Sequence, residues 1–321
     1  MNYAGIAAGI GCACVALIAQ AAENFPVRPV RMIVAFTAGS ETDFFARVVA
    51  QKMAEHWNQQ VVVDNRPGAG GVLATRLVAA ASPDGYTLFM NSMAHAITPA
   101  IYTNLPYDTL RDLTGIAQVS GVPNVLIVPP AQGVKTVKEL IALAKQKPGQ
   151  LTFGSAGVGS GMHINGEQFR LAADINVVHV AYKGGPEALT DVITGRVDFY
   201  FCPINTALPH IRDGRLIALV TSATTRAPEL PDVPTTAEAG YKDADFPVWI
   251  GLMAPAKTPR PIIEKLHAET VKAIRLPASQ EKLGKTGVAP MILTPAEFDA
   301  RIRAEIAANG AVAKAAGIKP N

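Results

Sequence analysis

The sequence predicts an α/β protein of two domains. Short apolar runs alternate with amphipathic helical patterns along the chain, as layered sheet-and-helix architecture requires. About 300 residues follow an apolar leader, a length that suits two domains. Two strand–turn–helix units of matching form occur, one in each half.

The leader comes first. Residues 1–22 carry no Lys, Arg, Asp or Glu, and Ala19-Gln20-Ala21 places small residues where a signal peptidase reads. The apolar core is shorter than the roughly 20 residues of a spanning helix and rich in Gly and Ala. Residues 1–22 therefore read as a cleaved signal peptide, which sends the protein to the periplasm. A lipoprotein reading through Cys12 is weaker, because Gly9-Ile10-Gly11 is a poor lipobox.

Buried strands are expected at residues 30–36, 60–64, 86–90 and 116–120. Between the first two, Phe44, Phe45, Val48, Val49, Met53 and Trp57 recur at helical spacing. In the middle of the chain, Thr136 with Glu139 marks a helix start, and Pro148-Gly149 ends that helix. Further strands are expected at 151–154, 177–180, 197–201 and 216–221. Pro186 suits a first helical turn and Gly195 the end of the same helix. The tail returns to helix after Pro261, and Thr294-Pro295-Ala296-Glu297 is a capping box ahead of Phe298, Ile302 and Ile306. No Pro/Ser-rich linker separates the halves, so the domains should be joined by strands crossing a hinge. Residues 122–130 and 248–255 are the apolar segments suited to that.

Composition excludes several function classes. Lys plus Arg number 29 against 26 Asp plus Glu, with the basic residues scattered, so nucleic acid is not an expected partner. Outside the leader only Cys202 remains of the cysteines, which rules out an internal disulfide framework. The six histidines show no metal-ligand spacing, so neither a metal nor another cofactor is expected.

The two matched units carry the chemistry. The first runs through Phe36, Thr37, Ala38, Gly39, Ser40, Glu41, Thr42 and Asp43 into a helix. The second runs through Gly154, Ser155, Ala156, Gly157, Val158, Gly159 and Ser160 to His163. Small residues bring backbone N–H groups close to a guest, and each helix start adds free donors and a positive dipole end. Hydroxyls supply adjustable donors, so an anion site forms without Lys or Arg. Two such units facing one another would clamp one acid. Each alone can also be a plain turn, with Ser40 simply capping its helix. The Asn65-to-Gly71 loop lacks the spacing and Lys of a P-loop and reads as a structural turn. No nucleophile elbow is present. A serine hydrolase using Ser155 or Ser160 stands as the alternative, with no orienting acid identifiable beside His163. Asp198 points at the cleft or at solvent, and the Tyr182-Lys183-Gly184-Gly185 stretch is a cleft wall or a turn.

Seven markers in register then give a resemblance. They are Pro26-Val27-Arg28-Pro29-Val30-Arg31, Asn65-Arg66-Pro67-Gly68-Ala69-Gly70-Gly71, Pro83-Asp84-Gly85-Tyr86-Thr87-Leu88, Gly154-Ser155-Ala156-Gly157, Val180-Ala181-Tyr182-Lys183-Gly184, Leu230-Pro231-Asp232-Val233-Pro234-Thr235 and Ala315-Ala316-Gly317-Ile318. With these the chain resembles the Bug family of periplasmic solute-binding proteins, the receptors of tripartite tricarboxylate transporters, from Phe25 to the C-terminus. The resemblance implies a two-domain Venus-flytrap of the type II periplasmic binding fold. Domain one would hold residues 25–125 and 247–321, and domain two residues 126–246. It implies a non-enzymatic, monomeric receptor that captures a small carboxylate for transporter membrane subunits, or, alternatively, serves a sensor. The ligand would lie between the two loops already singled out, with Ser92 and Tyr182 near the cleft. Where many members have Pro-Gly-Gly this chain has Ala38-Gly39-Ser40, and where many have an Asp it has Cys202. A neutral thiol is a weak acceptor, so acids without an amine are the expected ligands unless Asp198 or Glu41 serves the ammonium group. Phe199, Phe201 and Ile204 would add apolar surface.

Overall fold

The computed structural model describes residues 24–223, 225–241, 248–284 and 290–318. The leader expected at residues 1–22 lies outside them. Strand β1 (Val30–Val34) feeds helix α1 (Glu41–Trp57), followed by β2 (Val61–Asn65), α2 (Val72–Ala79), β3 (Thr87–Ser92), α3 (Ala94–Ile101) and β4 (Leu113–Val122). The middle of the chain holds β5 (Asn124–Val128), α4 (Val137–Gln146), β6 (Thr152–Ser155), α5 (Gly161–Ala172), β7 (Val178–Ala181), α6 (Gly185–Ile193), β8 (Phe199–Pro203), α7 (Ile204–Arg212) and β9 (Ile217–Thr221). The tail adds β10 (Val248–Pro255), α8 (Arg260–Arg275), α9 (Pro277–Gly284) and α10 (Pro295–Ala315). No described helix is long and apolar enough to cross a membrane.

Two five-stranded mixed sheets result, ordered β2-β1-β3-β10-β4 and β7-β6-β8-β5-β9. The orders correspond position by position. In each sheet the fourth strand alone runs antiparallel to its neighbours. That strand, β10 or β5, is the first one laid down after the chain arrives from the other lobe. The crossings lie side by side: Val122 pairs with Val248, Ser222 N–H donates to the Asn124 carbonyl, and Asn124 N–H donates to Ser222 Oγ. The first crossing turns on Pro123, so β5 lies whole in the second sheet. The segment 248–255, expected to cross, instead lies entirely in the first sheet. The second crossing therefore precedes Val248. All of β10 is buried, which explains why its apolar run looked like a crossing strand.

The helix faces follow the sequence pattern. Phe45, Val48, Val49 and Met53 of α1 are buried against the first sheet. Thr294 caps α10 through the complete reciprocal box with Glu297. Behind that cap, Phe298 is fully buried edge-on to Trp249, over Gly115 and Gly251, where a methyl group would collide with its ring. Thr294→Ala is therefore expected to lower stability by about 1 kcal/mol, seen as a lower denaturant midpoint with an unchanged slope. Helices α3 and α7 were not read from the sequence. Each contains an internal proline, Pro99 or Pro209, which disguises the helical pattern.

Candidate ligand cleft between the sheets

Both sheets present the C-terminal ends of their parallel strands to one cleft. In open α/β sheets this is where ligands sit, because the strands end there and helix N-termini begin. Beyond β1, Ser40 caps α1 by accepting from the Asp43 N–H. The Asp43 carboxylate accepts from Gly39 N–H at 2.9 Å, from Arg47 Nε at 2.9 Å and from Asn65 Nδ2 at 3.0 Å. Burial raises its pKa, but these hydrogen bonds and the Arg47 charge outweigh that and hold it below its ordinary value. Asp43 thus fixes the turn, with three hydrogen bonds taking most of its acceptor positions.

The second unit folds the same way. Ser160 caps α5 by accepting from the His163 N–H at 3.2 Å. Ser155 Oγ accepts from Gly157 N–H and lies 2.6 Å from His179 Nε2. The His179 ring stacks on His163 at 3.9 Å and on Phe153 at 4.9 Å. Burial, joined by the His179 ring, lowers the His163 pKa to about 3, and burial lowers that of His179 to about 4, so both rings are neutral. His163 Nδ1 accepts from Gly159 N–H, which leaves its proton on Nε2. Among the described residues no carboxylate hydrogen-bonds to His179, so Ser155 lacks the orienting acid a nucleophile needs. The group is a packed stack beneath the loop.

A narrow cavity of about 20 Å³ lies between the lobes. From the first lobe Phe36, Ser40, Glu41, Thr42, Ser92 and Val248 line it. Across from them stand Ala156, Met162, Gly185, Pro186 and Tyr200, with Pro203 and Thr206 at the start of α7. Among the described residues the lining holds no Lys, Arg or His. Both Glu41 carboxyl oxygens and the Tyr200 hydroxyl are buried there without a hydrogen-bond partner. Burial pushes the Glu41 pKa up to about 8. Burial also raises the Tyr200 hydroxyl, helped by Cys202, Glu41 and Glu187.

The expected site residues divide. Phe36, Ser40, Glu41, Thr42, Ser92 and Ala156 reach the cavity wall. Thr37 instead bridges the lobes, donating to Glu187 Oε2 at 3.2 Å, while Ala38 and Gly39 are exposed. Asp43, Ser155, Ser160 and His163 brace their own turns, and Gly154, Gly157 and Gly159 shape the second loop without lining the cavity. Tyr182 is occupied with Asp191, its hydroxyl donating at 2.7 Å. Asp198 points neither at the cleft nor at open solvent: it accepts from Thr152 N–H and hydroxyl and from Gln132. Cys202 is fully buried below the wall, and burial with the nearby Glu41 raises its thiol pKa.

Two corrections concern which groups face each other. The N-terminus of α6, not the second glycine loop, stands directly opposite the start of α1. Gly184 approaches so closely that a methyl group there would lie 1.9 Å from Thr37 Oγ1. The glycine loop packs against the turn at residues 68–71, where a methyl group on Gly70 would fall 2.3 Å from the Val158 carbonyl oxygen. Phe199 and Phe201 belong to the core on the far face of the second sheet and add nothing to the cleft. Alternation along β8 gives Tyr200 the cleft face instead. That alternation was visible in the sequence and would have found Tyr200, the cavity-lining residue most plainly missed.

The fold agrees with that of known relatives. A profile described as the tripartite tricarboxylate transporter family receptor matches residues 45–318. The chain belongs to this receptor family. BugT of Bordetella pertussis is 35% identical to the receptor over 300 residues, covering 93% of this chain and 92% of BugT. The structure of R. palustris Rpa4515 with adipate is similar, with a TM-score of 0.88 and 32% identity over 92% of this chain and 100% of that one. MatC from Rhodopseudomonas palustris with bound malate gives 0.84 and 31% over 90% and 99%. The relatives support the Venus-flytrap reading of the two lobes.

Proposed function

We propose that this receptor captures a small carboxylate in the interlobe cavity and presents it to the membrane subunits of a tripartite transporter. One observation carries the reading: a cavity at the strand ends of both sheets, fronted by the N-termini of α1 and α6 and, among the described residues, lined by no cationic side chain. Free N–H donors and hydroxyls bind a carboxylate there without a countercharge. The adipate and malate bound by relatives support that ligand class.

The protein works in the periplasm after losing residues 1–22, acts as a monomer and performs no catalysis. Its domains are the expected two, with the boundary at 125/126 moved to give 25–123 with 247–321 and 124–246, because β5 belongs whole to the second sheet. Hinge closure follows from the side-by-side crossings, and ligand favours the closed state by the contacts it makes only there. The preferred ligands lack an amine. Cys202 is no acceptor, Asp198 is occupied, and Glu41 is largely neutral at pH 7.

A thermal-shift screen of mono-, di- and tricarboxylates tests this. The best ligand at a hundredfold excess over Kd is expected to raise Tm by about 5 °C, with aspartate and glutamate giving smaller shifts. A screen in which no carboxylate moves Tm, or in which the amino acids shift it most, would contradict the proposal.

A further inference from the structure

Among the described residues, the carboxyl of Glu41 and the Tyr200 hydroxyl are polar groups of the cavity wall left without a partner, and Glu41 is the acidic one. It opens α1, is 5% exposed, lines the cavity and has no partner on either oxygen. An ionised carboxylate buried in this way is costly, and beside a carboxylate ligand it would add repulsion between like charges. We infer that Glu41 is the specificity-determining residue of the cleft and that it binds as the neutral acid, its O–H donating to a carboxylate oxygen of the ligand. This rests on the carboxylate reading above.

The surroundings leave few alternatives for that proton. From β8, Tyr200 and Cys202 face Glu41, and both stay protonated at neutral pH because burial raises them. From α6, Glu187 faces Tyr200 and accepts from Thr37. On α1 itself, Asp43 is held by Arg47 and Asn65. At the far end of the helix, His56 is paired with Glu269 of α8. Where α1 meets β2, Asp64 is paired with Arg31 and Arg66. Among the described residues, therefore, no cation is placed to neutralise an ionised Glu41 in the cavity. The positive end of α1 favours ionisation, while burial raises the pKa to about 8. A protonated carboxyl has one donor and fits one acceptor, whereas an ionised carboxyl offers acceptors only. A donor aimed at an anion makes a short, charge-assisted hydrogen bond. Tyr200 can supply a second donor from the opposite wall. The ligand thus replaces a vacant contact with a proton shared between two carboxyl groups.

The sign of the pH dependence follows. Glu41 has to hold its proton for the bond to form, so affinity is full below its free pKa, about 8, and falls as pH rises through it. Simple carboxylic acids are ionised throughout the range from pH 6.5 to 9, so the slope belongs to the protein. The test is calorimetric affinity across that range for the tightest binder among acetate, benzoate, succinate, malate and adipate. The natural protein is expected to bind about tenfold more weakly at pH 9 than at pH 7. Glu41→Gln, whose amide still donates, is expected to lose about fivefold at pH 7 but to show no slope. Binding that is flat or strengthens with pH in the natural protein would overturn the inference while leaving the carboxylate reading intact. An unchanged slope in Glu41→Gln would overturn it equally. If none of the five acids binds at any pH, the carboxylate reading itself fails, and the role of Glu41 fails with it.

Discussion

Gly70→Ala is expected to weaken ligand binding by roughly a hundredfold, about 2.7 kcal/mol. The closed lobes leave no room for the new methyl group, which would fall 2.3 Å from the backbone oxygen of Val158. That oxygen belongs to a turn fixed by the Ser155 and Ser160 hydrogen bonds and cannot rotate away as a side chain would. Alanine also meets a backbone penalty, because Gly70 has φ +60 in the left-handed region, worth about 1–2 kcal/mol. The first effect acts on closure and the second on folding, so two measurements separate them. Denaturant unfolding should show only the smaller loss. Titration calorimetry should show the larger one, with small-angle scattering reporting an expanded, open molecule even in excess ligand. Gly184→Ala checks the mechanism without the backbone term, since Gly184 is extended and its obstacle is Thr37 of the other lobe. Affinity within threefold of the natural protein in both variants would show that closure does not bring these surfaces together.

Glu41→Gln is expected to change how stability varies with pH in the absence of ligand. The folded pKa of about 8 lies above the ordinary 4.5, so between those values the unfolded chain releases a proton that the native state keeps. The unfolded state then binds fewer protons, and stability of the natural protein falls as pH rises through this window. Below pH 4.5 the penalty is absent. At pH 7 it amounts to about 3 kcal/mol, from roughly 2.5 pH units at 1.36 kcal/mol each. A glutamine has no proton to lose, so the variant should gain on the natural protein steadily from pH 5 to pH 8. Denaturant unfolding at several pH values reads the difference. Parallel curves for the two proteins would mean that Glu41 ionises normally in the fold.

Much of the fold was legible because its signals are local. The stripe on α1, the cap at Thr294 and the alternation in β8 each specify an element from neighbours a few residues apart. Strand positions came within a few residues for the same reason. What stayed hidden depends on pairing between distant segments. An apolar run such as 248–255 looks the same whether it crosses a hinge or lies buried in one sheet, and its register with Val122 decides. The cleft shows the same division. Glu41 and Ser92 were legible because they follow strands into helix starts. Pro186 and Met162 were not, because the opposing wall is set by how the lobes close. The glycine loop was expected to hold the acid, but its Gly157 and Gly159 N–H groups and its Ser155 and Ser160 hydroxyls bond within their own turn. Cys202 was expected in the cleft wall beside Phe199 and Phe201, but it shares the face of Tyr200 and is fully buried without lining the cavity.

The most direct test of the cleft as a carboxylate site is titration calorimetry on protein freed of carried ligand by unfolding and refolding. Adipate, malate and their homologues would be titrated into the natural chain and into Thr206→Trp. Thr206 is half-buried at the start of α7, so an indole there can fill the cavity mouth without entering the core. The account predicts saturable binding of one carboxylate per natural chain, and loss of that binding in the folded variant. Equal binding by both proteins, or no carboxylate heat from a correctly refolded natural chain, would contradict it.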